Sequence, residues 1–136
     1  MAIINDFNYH KPKDIDDTLI LLSDLKEKAK ILAGGTDLIV HLKEEIVKTE
    51  NVIDIKGITK LNKIEVSEDN VFLGAGVTFT EIIESAELKE KLPILWQASE
   101  KVASVGVRNR ATVVGNICSA VPSLDSAPAL LGYDAE

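Results

Sequence analysis

Cysteine is almost absent: Cys118 is the only one in 136 residues. That excludes a disulfide framework, and no iron–sulfur cluster can be ligated by thiolates from this chain alone. Aromatic residues are scarce at 4%, so bulk has to come from Leu, Ile and Val. No apolar run approaches the roughly 18 residues that a membrane span needs. The opening residues also lack the basic stretch and apolar segment of a secretory leader. Positive charge is in the minority, with 15 Lys and Arg against 22 Asp and Glu, a formal balance of −7. The cations are scattered among carboxylates, which argues against nucleic acid and anionic membrane surfaces as partners. His10 and His41 stand alone, with no partner at ligand spacing, so no metal site is expected. The expectation is a cytoplasmic protein.

What the chain does have is turn chemistry in two places. In Ile31-Leu32-Ala33-Gly34-Gly35-Thr36-Asp37-Leu38-Ile39-Val40, an apolar strand, a double glycine, two capping residues and an amphipathic helix follow one another. Gly34 and Gly35 can take positive φ and carry no Cβ, so an anionic oxygen can approach their N–H groups. Thr36 or Asp37 can cap the helix that follows. A phosphate cradle and a ligand-free strand-to-helix turn both fit this stretch. The second place is Val105 to Leu131, which contains Arg108-Asn109-Arg110-Ala111-Thr112-Val113-Val114-Gly115-Asn116 and Pro122-Ser123-Leu124-Asp125.

Hydrophobic periodicity gives a coarse outline. Phe7, Tyr9 and Pro12 suggest an extended entry. Asp14 to Lys28 reads as an amphipathic helix with Ile15, Leu19, Leu22 and Leu25 on one face. Ala29 to Ala33 reads as a strand, Thr36 to Ile46 as a helix bearing Leu38, Ile39, Leu42 and Ile46, and Asn51 to Ile55 as a second strand, together a parallel βαβ unit. Lys63 to Ser67 and Asn70 to Ala75 form a hairpin. Thr80 caps a helix containing Ile82 and Ile83, and Pro93 opens another that reaches Val102, with Leu95 and Trp96 as core. The last third reads as mostly turn and loop. The expected organisation is a βαβ segment over 1–57 and a second α+β segment over 58–136, with a cleft between them at the carboxyl ends of strands. Cys118 reads as a small buried filler, and His41 as solvent-facing.

The strings AGGTD (Ala33 to Asp37), RNRATVVGN and PSLD, in this order and at this separation, make the chain resemble the FAD-binding medium subunits of molybdenum hydroxylases. That group includes the flavoprotein subunits of xanthine dehydrogenase and aerobic carbon monoxide dehydrogenase. The resemblance runs from the amino-terminal residues to Glu136. It implies the α+β, two-lobed PCMH-type FAD-binding fold, with the amino-terminal βαβ lobe and the beginning of a second lobe. Family members are about twice this long, so the chain is expected to be the amino-terminal part of a longer flavoprotein. The resemblance further implies that Ala33, Gly34, Gly35, Thr36 and Asp37, with Leu32 beside them, hold the FAD pyrophosphate. Thr112, Val113, Val114, Gly115 and Asn116 would form the second loop, the Asn116 amide bonding to ribityl hydroxyls or flavin edge atoms. Asp125 would accept from the ribityl chain or order its loop. The family usually has two adjacent glycines where this chain has Val114-Gly115; if the first admits the phosphate, affinity falls, and if it only eases packing, FAD still binds. Arg108 and Arg110 are either loop ends paired with carboxylates or phosphate contacts.

No side chain is expected to act as an acid or base in bond chemistry. The implied role is electron transfer: a molybdenum-cofactor large subunit oxidises substrate, a 2Fe-2S small subunit carries electrons, and FAD on this chain passes them to NAD or another acceptor. A second reading is a truncated docking or structural module that does not retain flavin, with open sheet edges covered by self-association or by a carboxy-terminal polypeptide. A third keeps only the glycine cradle and binds a simpler ADP-containing nucleotide.

Overall fold

The computed structural model describes residues 3–136. The chain opens with β1 (Asn8–His10), α1 (Ile15–Leu25), β2 (Ala29–Leu32), α2 (Leu38–Lys43) and β3 (Asn51–Asp54). β3 lies between β1 and β2 and pairs with both in parallel, Asn51 standing opposite Asn8 on one side and Ala29 on the other. The central strand is buried on both faces, as all-parallel sheets require: Val52 is 1% and Ile53 0% exposed. Successive side chains of a strand point to opposite faces. Ile53 accordingly joins Ala29, Ile55 and Ile58 against Leu21, Leu22 and Leu25 of α1, whereas Val52 joins Leu32 against Leu38, Ile39 and Leu42 of α2. The expected βαβ unit is thus present with an added strand, because the extended entry at Tyr9 supplies β1.

After a 3₁₀ turn at Thr59–Asn62 come an antiparallel hairpin, β4 (Ile64–Val66) and β5 (Val71–Leu73), and then helices alone: α3 (Phe79–Glu84), α4 (Ala86–Lys91), α5 (Pro93–Lys101), α6 (Val105–Arg108), α7 (Val113–Ser119) and α8 (Ala127–Gly132). Their common core is Val77, Phe79, Ile82, Leu88, Val102, Ala111 and Val113, with Ile64, Val66, Val71 and Leu73 of the hairpin laid on it. Leu95 is fully buried, and half-buried Trp96 donates its indole N–H to the Ile83 carbonyl at 2.8 Å, joining α5 to α3.

Several expectations are corrected. The last third is half helical and half turn and loop; its helices α6, α7 and α8 span only four to seven residues, too few turns for a 3.6-residue period to show. Side-chain hydrogen bonds of Ser104 and Thr112 start α6 and α7. Thr78, not Thr80, caps α3, in a reciprocal capping box with Glu81; the Thr80 hydroxyl donates to Asn109 instead. On α1 the packed face is Thr18, Leu21, Leu22 and Leu25, while Ile15 and Leu19 are exposed. α2 is shorter than expected because Glu45 takes a left-handed φ of 57°, leaving Ile46 exposed. Cys118 is exposed, since α7 buries Val113 and turns Asn116 and Ser119 toward polar partners. His41 is half-buried on α2.

The sheet and the helical half meet through backbone. A Cβ built on Gly34 would lie 2.1 Å from the Arg110 carbonyl oxygen, 2.7 Å from its carbon and 2.9 Å from Ala111 Cα. None of these atoms can swing aside as a side chain does. Gly34→Ala is therefore expected to destabilise the fold by about 1–3 kcal/mol, the cost of overpacking a closed contact, whereas Gly57→Ala, where nothing lies within 4 Å, should stay within about 0.5 kcal/mol. Urea unfolding followed by circular dichroism compares the two directly.

Candidate functional site

The turn from β2 to α2 is built by one special torsion. Gly35 has φ +77° and is the only glycine with positive φ among the described residues; Gly34 owes its place to the close approach of Arg110. The carboxylate of Asp37 does not cap α2, and Thr36 lies two residues before the helix starts. Asp37 instead accepts a hydrogen bond from the Ser119 hydroxyl of α7. Among the described residues, no protein acceptor meets the N–H groups of Gly34, Gly35, Thr36 or Asp37. Leu32 is buried beneath the turn, and Ala33 to Thr36 are half-buried. A row of unanswered donors, half-buried from Gly34 to Thr36 and open at Asp37, is the backbone counterpart of an anion cradle.

Thr112 is 4% exposed and caps α7, its hydroxyl oxygen accepting from the Gly115 N–H at 3.0 Å. A Cβ on Gly115 would stand 2.7 Å from that oxygen, so glycine there makes room for the cap. Val113 is core and Val114 is 36% exposed; position 114 lies inside α7 and has no positive φ, so its β-branched side chain meets no backbone conflict. Asn116 accepts from the Ser126 hydroxyl at 2.6 Å, which ties α7 to the start of α8. Asp125, next to Ser126, is exposed. Arg108 joins no carboxylate among the described residues; its guanidinium donates to the Val102 and Ala103 carbonyls at 2.7 and 3.2 Å, closing the end of α5.

Where the two halves meet, a cleft of about 300 Å³ opens, walled by Ala33, Gly34, Ile55, Lys56, Asn62, Gly76, Thr78, Glu81, Asn109, Arg110 and Thr112. Of the residues singled out from the sequence, Ala33, Gly34, Arg110 and Thr112 are in this wall. Leu32, Gly35, Thr36, Asp37, Val113, Val114, Gly115, Asn116 and Asp125 are not. Gly115, Asn116 and Ser119 share α7 with the Thr112 cap, and the Ser119–Asp37 bond joins that helix directly to the glycine turn.

Sequence reasoning missed the polar group at the carboxyl end of β3. Asp54 is 5% exposed, and its carboxylate takes the Lys56 ammonium at 2.7 Å, the Lys56 N–H at 3.0 Å and the Tyr9 hydroxyl. Burial pushes the Asp54 carboxyl up, but the hydrogen bonds from Lys56 and Tyr9 and the Lys56 charge outweigh it and hold it below the usual range. The same bond to Asp54, then burial and the Asp54 charge, raise the Tyr9 hydroxyl above its ordinary value. The available signal was an Asp-x-Lys at the end of a buried strand, since ligands of parallel sheets gather at strand carboxyl ends.

Two segments far apart in sequence thus meet at one cleft, Gly34 on one side and Asn109, Arg110 and Thr112 on the other, with the other unpaired donors of the glycine turn following directly after Gly34. Residues 5–136 match the family described as "FAD binding domain in molybdopterin dehydrogenase", and the chain belongs to that family. It is 37% identical over 130 residues to the xanthine dehydrogenase FAD-binding subunit of Escherichia coli O157:H7, a match covering 95% of this chain and 44% of that one. To the carbon monoxide dehydrogenase medium chain of Hydrogenophaga pseudoflava it is 36% identical over 124 residues, covering 91% and 43%. The crystal structure of cyanide-inactivated Cu,Mo-CO dehydrogenase superposes with a TM-score of 0.88 at 35% identity, covering 91% of this chain and 43% of that chain. The chain thus spans less than half the length of these relatives, and the α+β arrangement is that of their FAD-binding subunits.

The Asp54 group yields a pH test. A carboxyl held below its unfolded value, about 3.9, stabilises the fold fully above that value and stops doing so as pH falls through the lower folded one. Asp54→Asn is expected to cost about 1.5–3 kcal/mol at pH 7, the usual range for hydrogen bonds to a charged group, and the gap to the parent chain should narrow below pH 4. Urea unfolding at pH 3, 5 and 7 measures it; a gap that stays constant across that range would dismiss the charged pairing.

Proposed function

We propose that this chain forms the FAD-holding portion of an electron-transfer subunit in a molybdenum hydroxylase, and that its two motif-bearing loops hold the dinucleotide. The carrying observation is the convergence of the Gly34–Asp37 turn, with its unanswered N–H groups, on the Thr112-capped segment. Glycine N–H groups and the hydroxyls of Thr36 and Thr112 are donors suited to phosphate oxygens. The Asn116 amide and Asp125 carboxylate have the chemistry to meet ribityl hydroxyls, and Ser126 orients Asn116. This reading takes the segments 1–57 and 58–136 as the two lobes, with Ile58 and Leu61 of the second packing back onto the core of the first.

When bound, FAD would supply the electron-accepting and electron-donating chemistry, while the protein supplies binding, orientation and electrostatics. No acid or base of this chain is assigned a proton. In the complete assembly, electrons would arrive from 2Fe-2S centres of a small subunit, after substrate oxidation on a molybdenum-cofactor large subunit, and leave to NAD or another acceptor in the cytoplasm. The support is the pairing of this fold with relatives named as FAD-binding subunits or medium chains. Substrate choice would then rest in another chain. A docking module without flavin draws no support from the family match, and the unpaired turn donors count against it.

FAD titration of the purified chain, followed by flavin fluorescence and by the emission of Trp96, is expected to give saturable binding at micromolar levels or tighter. A chain that is folded by circular dichroism and leaves flavin fluorescence unchanged would overturn the reading.

A further inference from the structure

We propose that Lys56 and Arg110 form a two-sided cationic clamp, one side from the β3 end and the other from the segment before α7, that takes the diphosphate of the bound dinucleotide. The proposal rests on the FAD reading above and adds side chains to what the backbone turn provides. The chain as a whole carries −7, yet two cations and one carboxylate, Glu81, wall the cleft between its halves. The Glu81 carboxylate is committed locally, taking both the Thr78 N–H and the Thr78 hydroxyl at 2.7 Å. Arg110 joins no ion pair among the described residues. Its guanidinium is a planar fork suited to two phosphate oxygens at once, and its own carbonyl is the atom against which Gly34 is seated. The main chain of Arg110 is therefore fixed against the glycine turn by the fold, and its exposed side chain starts from that point.

Lys56 differs because it is held. Its ammonium lies 2.7 Å from Asp54 Oδ1 and its side chain is only 34% exposed. An ammonium has three donors, and Asp54 takes one. Asp54 offsets part of the Lys56 charge, but its carboxylate already serves Tyr9 and both nitrogens of Lys56, and it is not part of the cleft wall. The groups presented to an entering anion are the donors, not the buried carboxylate. Tyr9 and Asp54 are thus positioning residues, and Lys56 is the contact.

The test compares FAD, riboflavin and inorganic pyrophosphate on the parent chain, Lys56→Met, Arg110→Met, the double variant and Lys56→Arg, each checked for folding by circular dichroism. Each Met variant should weaken FAD about tenfold, as loss of a charge-assisted hydrogen bond does, and leave riboflavin, which has no phosphate, unchanged. Lys56→Arg should restore most of the loss, and a pyrophosphate-induced ³¹P shift should weaken in parallel. Equal loss of FAD and riboflavin would make the two cations structural and overturn the clamp, as would unchanged FAD and pyrophosphate binding in the double variant. If the parent chain binds pyrophosphate in a Lys56- and Arg110-dependent way but no FAD, the clamp stands and the flavin reading falls. If FAD binds equally to all variants, the flavin reading stands and the clamp falls. Binding of neither ligand overturns both.

Discussion

The contact between Gly34 and the backbone of Arg110 and Ala111 is the constraint on which the arrangement of the two halves depends. It is a contact of shape, not of a strong bond: a hydrogen in place of Cβ lets two stretches of main chain come closer than any side chain would permit. Once they are that close, the glycine turn, the Thr112 cap and the cleft wall have little freedom relative to one another. The Ser119–Asp37 hydrogen bond adds a second point of attachment from α7. Two points fix a hinge line, and the cleft lies where the turn, the β3 end and the 109–112 segment come together.

The second feature that organises the site is the buried carboxylate of Asp54. Removing a charge from water costs several kcal/mol, so such a group persists only when its oxygens are answered. Here the answer comes from three groups: the Tyr9 hydroxyl on β1, and the backbone and side chain of Lys56 just beyond β3. The arrangement locks the short edge strand β1 to the central strand at their carboxyl ends. It also explains why a three-residue strand, Asn8–His10, is well placed despite an exposed Tyr9. Asn51 does similar work at the opposite end of β3, with His10 Nε2 at 2.9 Å from its Oδ1 and its amide donating to the Lys28 carbonyl.

How much of this was legible follows from how local each signal is. The β2–turn–α2–β3 unit was readable because its apolar runs and its glycine pair are contiguous, and the hairpin because a short polar link separates two apolar runs. The short helices of the last third are not, since none is long enough to show a period and α6 and α7 start on single side-chain caps. Thr78 and Thr80 are both threonines ahead of the same apolar pair, and what distinguishes the cap is Glu81, which stands three residues after Thr78 and completes the box. For the candidate site, the two loops are legible as strings and Asp54 with Lys56 only as an Asp-x-Lys after a strand, but the part of Tyr9 is not, because its bond to Asp54 spans 45 residues and passes through sheet pairing. Cys118 is exposed against expectation because burial on a two-turn helix is set by its neighbours and not by residue type.

The three glycines of the motif strings have three different physical duties, and this decides how substitutions in them should be weighed. Gly35 is required by torsion, Gly34 by contact with another part of the main chain, and Gly115 by room for the hydroxyl that caps its own helix. Position 114 has none of these duties: it lies in ordinary helical conformation, half a turn from the cap, with its side chain partly in solvent. A β-branched residue there loses some side-chain freedom in the helix but opposes no backbone requirement. The departure from the usual glycine pair therefore leaves the frame of the site intact. Its only route to an effect on ligand binding is the bulk of two methyl groups at the surface of α7, a steric matter separate from the folding of the loop.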